Sequence, residues 1–348
     1  MVVNTSLLHS LADRSAALAV PSAMHADVWQ LGERVDAWAR GRGLVLGDPD
    51  TSPLGRARCE RLAARLFPDA EPVRVELFAR WLTWTFALDD TLDQASVSGS
   101  ATAVHAVCDD LLRAIRRGQP SPGARPLEST LIELWQDTSA RMSREWRRRF
   151  LGHLEEHRTG CSEQAVFRRI RQTPTPEEYP ALRRRAAGPF LYDLMEPVLD
   201  VELPTRPLAL PAWQALLEGT ADVVTWSNDI VSYGREAVQG DVHNHVIVLA
   251  EAYGLEPAQA MRRVAERIAV LADELRDAAG ALKATVARLG LSAPDRDAAD
   301  RVIEVLLRAP RAHIDWLAES GRYSPPEGTS PGYYGRDGLR LDGLASLR

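Results

Sequence analysis

Cysteine is scarce in this chain: Cys59, Cys108 and Cys161 are the only three in 348 residues. They are odd in number, far apart and without paired metal-ligand spacing, which excludes a disulfide framework and a thiolate metal site and leaves buried free thiols as the expectation. Basic excess is missing too. Lys and Arg number 42 against 48 Asp and Glu, a net charge of −6, whereas phosphate-backbone binding needs a strongly basic face. No apolar run approaches the roughly 20 residues of a spanning helix. The first residues, MVVNTSLLHSLADRSAALAV, carry too little positive charge and too broken an apolar stretch for a secretory signal, so a cytoplasmic location is expected.

Alternating apolar and polar positions are absent as well, and helical periodicity recurs almost everywhere between Gly and Pro breaks. An apolar content of 45% suffices for a sizeable core. The expected fold is therefore all-α, with helices over 26–41, 72–94, 101–117, 128–159, 176–187, 211–239, 257–289 and 297–320. Neither internal repeats nor a Ser/Gly linker divides the chain, so one helical domain over 21–323 is expected. Residues 1–20 are expected to be loose. The Ser, Pro and Gly content of 324–348 predicts a mobile tail.

Two acidic constellations stand out. In WLTWTFALDDTLDQ an apolar helix suddenly carries Asp89, Asp90 and Asp93. Asp89 and Asp93 are one helical turn apart, where like charges cost roughly 0.2 to 0.5 kcal/mol per pair. A divalent cation reverses that sign, because Mg²⁺ takes one or two carboxylates and completes its octahedron with water and phosphate oxygens. The bland alternative is a solvated acidic helix end. Against it, Trp81, Trp84, Phe86 and Leu88 immediately before the acids suggest that they open into an apolar cavity. The second constellation lies in VVTWSNDIVSYGREAVQGDVHNHV. Asn228, Ser232 and Glu236 recur every four residues, so an amide, a hydroxyl and a carboxylate line one helical stripe. That is a hard oxygen set of low charge. A purely structural hydrogen-bond stripe is the alternative, although Glu among apolar neighbours needs a partner.

Together the two motifs resemble those of bacterial-type class I terpene synthases, the DDxxD motif at Asp89, Asp90 and Asp93 and the NDxxSxxxE motif at Asn228, Ser232 and Glu236. The resemblance runs over about residues 20 to 323. It implies a single-domain α-helical bundle with a central active-site cavity, and a lyase that ionises an isoprenoid diphosphate and cyclises the carbocation. It also implies three Mg²⁺ ions held by the six motif residues when the site closes. Further matches follow in register. Arg235 stands where the family has a diphosphate-contacting Lys or Arg, and Asn244 matches the usual Asn of the following turn. Trp316, Ser320, Arg322 and Tyr323 resemble the WxxxTxRY element, with Ser for Thr, which implies that Arg322 and Tyr323 bind diphosphate.

In YPALRRRAAGPF the resemblance implies a diphosphate-sensing Arg followed by a linker and an effector. Arg184, Ala187 and Gly188 fit that spacing best, with Arg183 as the competing sensor and Ala187 departing from the family's usual polar linker. Gly188-Pro189 is a plausible helix break. Phe86, Trp226 and Trp316 are the candidate aromatic walls for a carbocation, with ordinary core packing as their alternative. Arg147, Arg148 and Arg149 read as a solvated face. His243 and His245 do not converge on a metal.

The family resemblance and the bulk of Trp81, Trp84, Phe86, Trp226 and Trp316 favour farnesyl diphosphate over geranylgeranyl diphosphate. No nucleic acid, no membrane span and an isoprenoid diphosphate as the partner complete the reading, with a homodimer left open. The rivals are a prenyl chain-elongating synthase, which would carry a second aspartate-rich cluster in place of Asn228, Ser232 and Glu236, and a noncatalytic helical interaction module, which gives no reason for polar ligands within apolar helices.

Overall fold

The computed structural model describes residues 5–46, 52–94 and 97–323. Within them the chain is helical without strands. It runs α1 Thr5–Ala12, α2 Val28–Gly41, α3 Cys59–Leu66, α4 Pro72–Leu92, α5 Ala101–Arg117, α6 Pro126–Ser139, α7 Arg144–Ile170 and α8 Tyr179–Ala186. Three short helices follow, α9 Phe190–Asp193, α10 Met195–Leu199 and α11 Thr205–Leu208. The rest are α12 Pro211–Gln239, α13 His245–Tyr253, α14 Pro257–Ala287 and α15 Ala293–Glu319. A 3₁₀ turn, Gly321–Tyr323, ends the described chain.

The expected 128–159 helix is two helices. Chain direction breaks after Ser139, and Ser143 restarts it as a cap, its hydroxyl accepting from the Trp146 amide at 3.1 Å. Sequence periodicity missed α1, α3 and α13, each under ten residues, because so short a stretch holds too few turns to show its period. Part of the N-terminal segment expected to be loose is packed, with Leu8, Leu11 and Leu18 buried against α14 and α15. The tail 324–348 lies outside the described residues. No helix is long and apolar enough to cross a membrane among those described. All three cysteines are free and buried, as expected.

Two long helices, α4 and α12, face each other across a central cavity, and each is divided lengthwise. Along α4, Phe78, Leu82, Thr85, Phe86, Asp89 and Asp93 recur at helical spacing and line the cavity. Trp81, Trp84 and Leu88 occupy the opposite face and are fully buried in the core. There the Trp81 ring meets Trp84 at 5.7 Å and Phe150 at 5.3 Å, edge to face. Their indole N–H groups are satisfied, Trp81 donating to Thr138 Oγ1 and Trp84 to the Leu127 carbonyl, both at 2.8 Å. This cluster fixes the rotation of α4, and with it which stripe of the helix meets the cavity.

The arginine run on α8 is held by an unusually close approach to α7. A Cβ on Gly160 would stand 2.6 Å from the Ala186 nitrogen and 2.7 Å from the Arg185 carbonyl carbon. Backbone cannot yield as a side chain does. Gly160→Ala is therefore expected to push α8 off α7, costing about 1 to 3 kcal/mol of stability. Thermal unfolding of the purified variant checks this, and an unchanged midpoint would contradict the packing described.

Candidate active site

The cavity encloses about 220 Å³, and beside its acids and apolar wall it is lined by Arg184, His157 and His313. Leu62, Leu66, Phe78, Leu82, Leu191 and Met195 form much of its apolar depth, while Asp89, Asp93, Arg168, Asn228, Arg235 and Glu236 gather at its mouth. On α12 the wall runs Ala221, Val224, Thr225, Asn228, Arg235 and Glu236, so that helix too passes from apolar to oxygen-bearing along one stripe. The two constellations expected from sequence thus meet at one opening.

Within the mouth the acids are already paired. Arg322, only 4% exposed, donates to Asp90 Oδ1 at 2.7 Å and reaches Asp89 Oδ2 at 3.4 Å. Its guanidinium lies 4.6 Å over the Phe86 ring. Arg168 bridges Asp93 at 3.3 Å and Asp241 at 3.0 Å. Surrounding protein, and after it the Asp89 charge, push the Asp93 carboxyl up to about 7.

Opposite, the stripe on α12 is tied down by its neighbours. Asn228 Nδ2 donates to the Tyr323 hydroxyl at 2.6 Å, and Asn228 Oδ1 accepts from Arg183 Nη2 at 3.1 Å. Asn244 donates to Glu236 Oε2 at 2.8 Å and to the Asp229 carbonyl at 2.7 Å. Ser232 is fully buried beneath it, its hydroxyl 3.5 Å from the same amide nitrogen. Burial first, and the Asp229 charge second, raise the Glu236 pKa. Burial works against charge on Arg183, but Asp229 beside it overcomes this and raises that pKa.

Several expectations need correcting. Asp90 does not line the cavity and instead faces Arg322. Trp316 and Trp226 stand behind the wall: Trp316 is fully buried, stacked 5.8 Å from Phe86 and bonded to the Ala57 carbonyl at 2.7 Å, and Trp226 packs on His245 at 4.6 Å. Of the proposed aromatic walls only Phe86 touches the cavity, joined by Phe78 and Tyr192. Arg149 is no part of a solvated face. It is paired with the buried Asp193 at 2.8 Å and with the buried Glu196. Arg322 and Tyr323, which the resemblance assigns to diphosphate, are seated in the site on Asp90 and Asn228.

The helix break falls as expected. α8 ends at Ala186, Gly188 adopts φ +77°, and Ala187 lines the cavity. The two candidate sensors point to different places. Arg183 meets the Asn228 end of α12, whereas Arg184 pairs with Asp222 at 2.8 Å, about two turns earlier. Sequence reading missed Arg168, Asp241, Asp229 and Tyr179. Asp229 is the D of the NDxxSxxxE motif, though no role was read for it; Arg168 and Tyr179 repeat no marking spacing, and only the GDVHNHV string pointed near Asp241.

Residues 80–274 match the family model described as terpene synthase family 2, C-terminal metal binding. The (−)-δ-cadinene synthase of Streptomyces clavuligerus is 30% identical over 79% of this chain and 84% of its own. The chain belongs to the bacterial-type class I terpene synthases. A (−)-β-caryophyllene synthase from Saccharothrix espanaensis, named as farnesyl diphosphate cyclizing, is 29% identical over 90% of both chains. Among solved structures, a single-substitution variant of cucumene synthase superposes with a TM-score of 0.77 at 26% identity, covering 88% of this chain and 99% of that one. This synthase is therefore an enzyme, a lyase acting on diphosphates.

Because Asp89 and Asn228 oppose each other across the mouth, either change to Ala is expected to lower turnover at least about a hundredfold. Rates from purified variants, with helicity followed by circular dichroism, check this. Wild-type rates in a folded variant would remove that residue from the site.

Proposed function

We propose that the synthase ionises farnesyl diphosphate with Mg²⁺ and cyclises the resulting cation. The observation that carries the reading is the division of one cavity into an oxygen- and guanidinium-lined mouth and an apolar depth. A diphosphate suits the first and an isoprenoid chain the second.

The donor set fits a hard cation that keeps part of its shell for the substrate. Asp89, Asp90 and Asp93 on one side and Asn228, Ser232 and Glu236 on the other would hold magnesium, a cluster rich in oxygen and free of nitrogen and sulfur ligands. Among the described residues no three Asp, Glu, His or Cys side chains gather closely enough to hold a metal alone. Amide, hydroxyl, water and phosphate oxygens therefore complete any site here. Arg235 adds a matching sign. Its buried Nε has no hydrogen-bond partner and its side chain lines the mouth, an unfilled donor suited to an anionic oxygen.

When bound, magnesium supplies Lewis-acid stabilisation of the leaving diphosphate. The chain's own groups do the rest. Arg183 or Arg184, with Arg235, Arg322 and Tyr323, donate to diphosphate oxygens as charge builds on them. The apolar depth keeps water from the cation. Phe86 borders the cavity, its ring covered by the Arg322 guanidinium and stacked on Trp316. At the break Ala187 lines the cavity and Gly188 beside it does not.

Farnesyl rather than geranylgeranyl diphosphate is supported by a relative named for farnesyl diphosphate cyclisation. The bulk of Trp81, Trp84, Trp226 and Trp316 plays no part, since none of them lines the cavity. Competition of the C10, C15 and C20 diphosphates in one reaction, with products identified by mass, is expected to give a C15 product. A dominant C20 hydrocarbon would overturn the substrate while leaving the cyclase class standing.

A further inference from the structure

Asp229, inside the second motif, is fully buried like Ser232, each with 0% exposure, and it does not line the cavity. Its carboxylate accepts from the Tyr179 hydroxyl at 2.7 Å, from Arg183 Nε at 3.1 Å and from the His245 backbone amide at 3.2 Å. A carboxylate this deep has no reason to be retained for solvation. Its partners say what it does: it joins α8, which carries the arginine run, to α12, which carries the oxygen stripe, and to the start of α13.

Arg183 has one charged partner and one neutral partner. The ion pair with Asp229 measures 3.0 Å, and the bond to Asn228 Oδ1 measures 3.1 Å. A charge-assisted bond is about twice as strong as a neutral one, so the Asn228 contact is the one that yields when a new anion arrives. Asn228 is meanwhile blocked on both atoms, because its Nδ2 donates to the Tyr323 hydroxyl. Any cation that approaches its amide oxygen meets the charge of a guanidinium already on it.

We propose that Asp229 is a positioning residue that anchors Arg183 over the Asn228 amide oxygen, so that this oxygen is released to a metal only when a diphosphate draws the guanidinium away. The inference rests on the proposed metal and diphosphate reading. It makes the stripe on α12 a conditional site: a divalent cation without diphosphate meets a cation already in place, and diphosphate both removes that cation and contributes its own oxygens. Binding of the two is then coupled, each strengthening the other by the same factor. Asp229 sets the pivot, keeping Arg183 at the mouth after it leaves Asn228.

The test is a Mn²⁺ titration followed by electron paramagnetic resonance, on the full chain, with and without inorganic diphosphate. Wild type is compared with Asp229→Asn, Arg183→Gln and the double variant, which carries no buried unpaired charge and guards against loss of folding in the singles. Wild type is expected to bind Mn²⁺ at least about tenfold more tightly with diphosphate. Arg183→Gln and the double variant are expected to gain Mn²⁺ binding without diphosphate and to lose most of the enhancement. Asp229→Asn is expected to reduce the enhancement about fivefold or more, with helicity unchanged. Wild-type coupling persisting in Asp229→Asn and in the double variant would overturn this inference alone. Failure of wild type to bind Mn²⁺ even with diphosphate would overturn it together with the function proposed above.

Discussion

A charge placed inside a helical bundle has to be neutralised where it stands, because burial removes the water that would otherwise do so. In the mouth of this cavity that constraint acts on the buried members, Arg322 and Asp229, while the carboxylates of Asp89, Asp90 and Asp93 are about half exposed. Asp89 and Asp90 answer to Arg322, Asp93 and Asp241 to Arg168, and Asp229 to Arg183. These pairs cross between α4, α7, α8, α12 and the C-terminal turn, so the ring of charge also ties together the elements that surround the substrate. Breaking away the partner of a buried member, Arg322 or Asp229, leaves a charge stranded, which costs far more than the pair contributes.

The same ring is what a diphosphate and its metals would rearrange. Arg322 and Arg183 hold positions on acids or amides that the proposed chemistry assigns to metals, and both have guanidiniums at the cavity. Exchange of one cation for another, with anions moving in between, keeps the local charge near balance at each stage. Below the ring the walls change character within two helical turns, from Asp89 to Leu82 on α4 and from Asn228 to Ala221 on α12. That gradient is the physical basis for separating leaving-group chemistry from the fate of the cation.

How much of this was legible in sequence follows from what periodicity encodes. Two oxygen stripes at four-residue spacing were readable because a helix repeats every 3.6 residues; Asp89, Asp93, Asn228 and Glu236 line one cavity, and Asp90 and Ser232 do not. The aromatic wall was misjudged because Trp81 and Trp84 were grouped with Asp89 by nearness along the chain. Their helical phase puts them on the other face of α4, with Phe78, Leu82 and Phe86 in phase with the acids. Arg168, and the role of Asp229 within its motif, were not read since their meaning lies in Asp241 and Arg183, partners 73 and 46 residues away in the chain, and no local pattern carries such a pairing. The three-arginine run on α7 illustrates the converse: Arg149 reads as surface until the buried Asp193 and Glu196 are placed beside it.

The central claim is that the two stripes form one diphosphate-and-metal site. Its most direct test is a crystal structure of the chain with Mn²⁺ and inorganic diphosphate, using anomalous scattering to locate the metal. The account predicts anomalous peaks against Asp89 or its motif neighbours and against Asn228, Ser232 and Glu236, with diphosphate between them on Arg235 and Arg322. Diphosphate bound elsewhere, or a mouth with Arg183 still on Asn228 and no metal beside the α12 stripe, would contradict it.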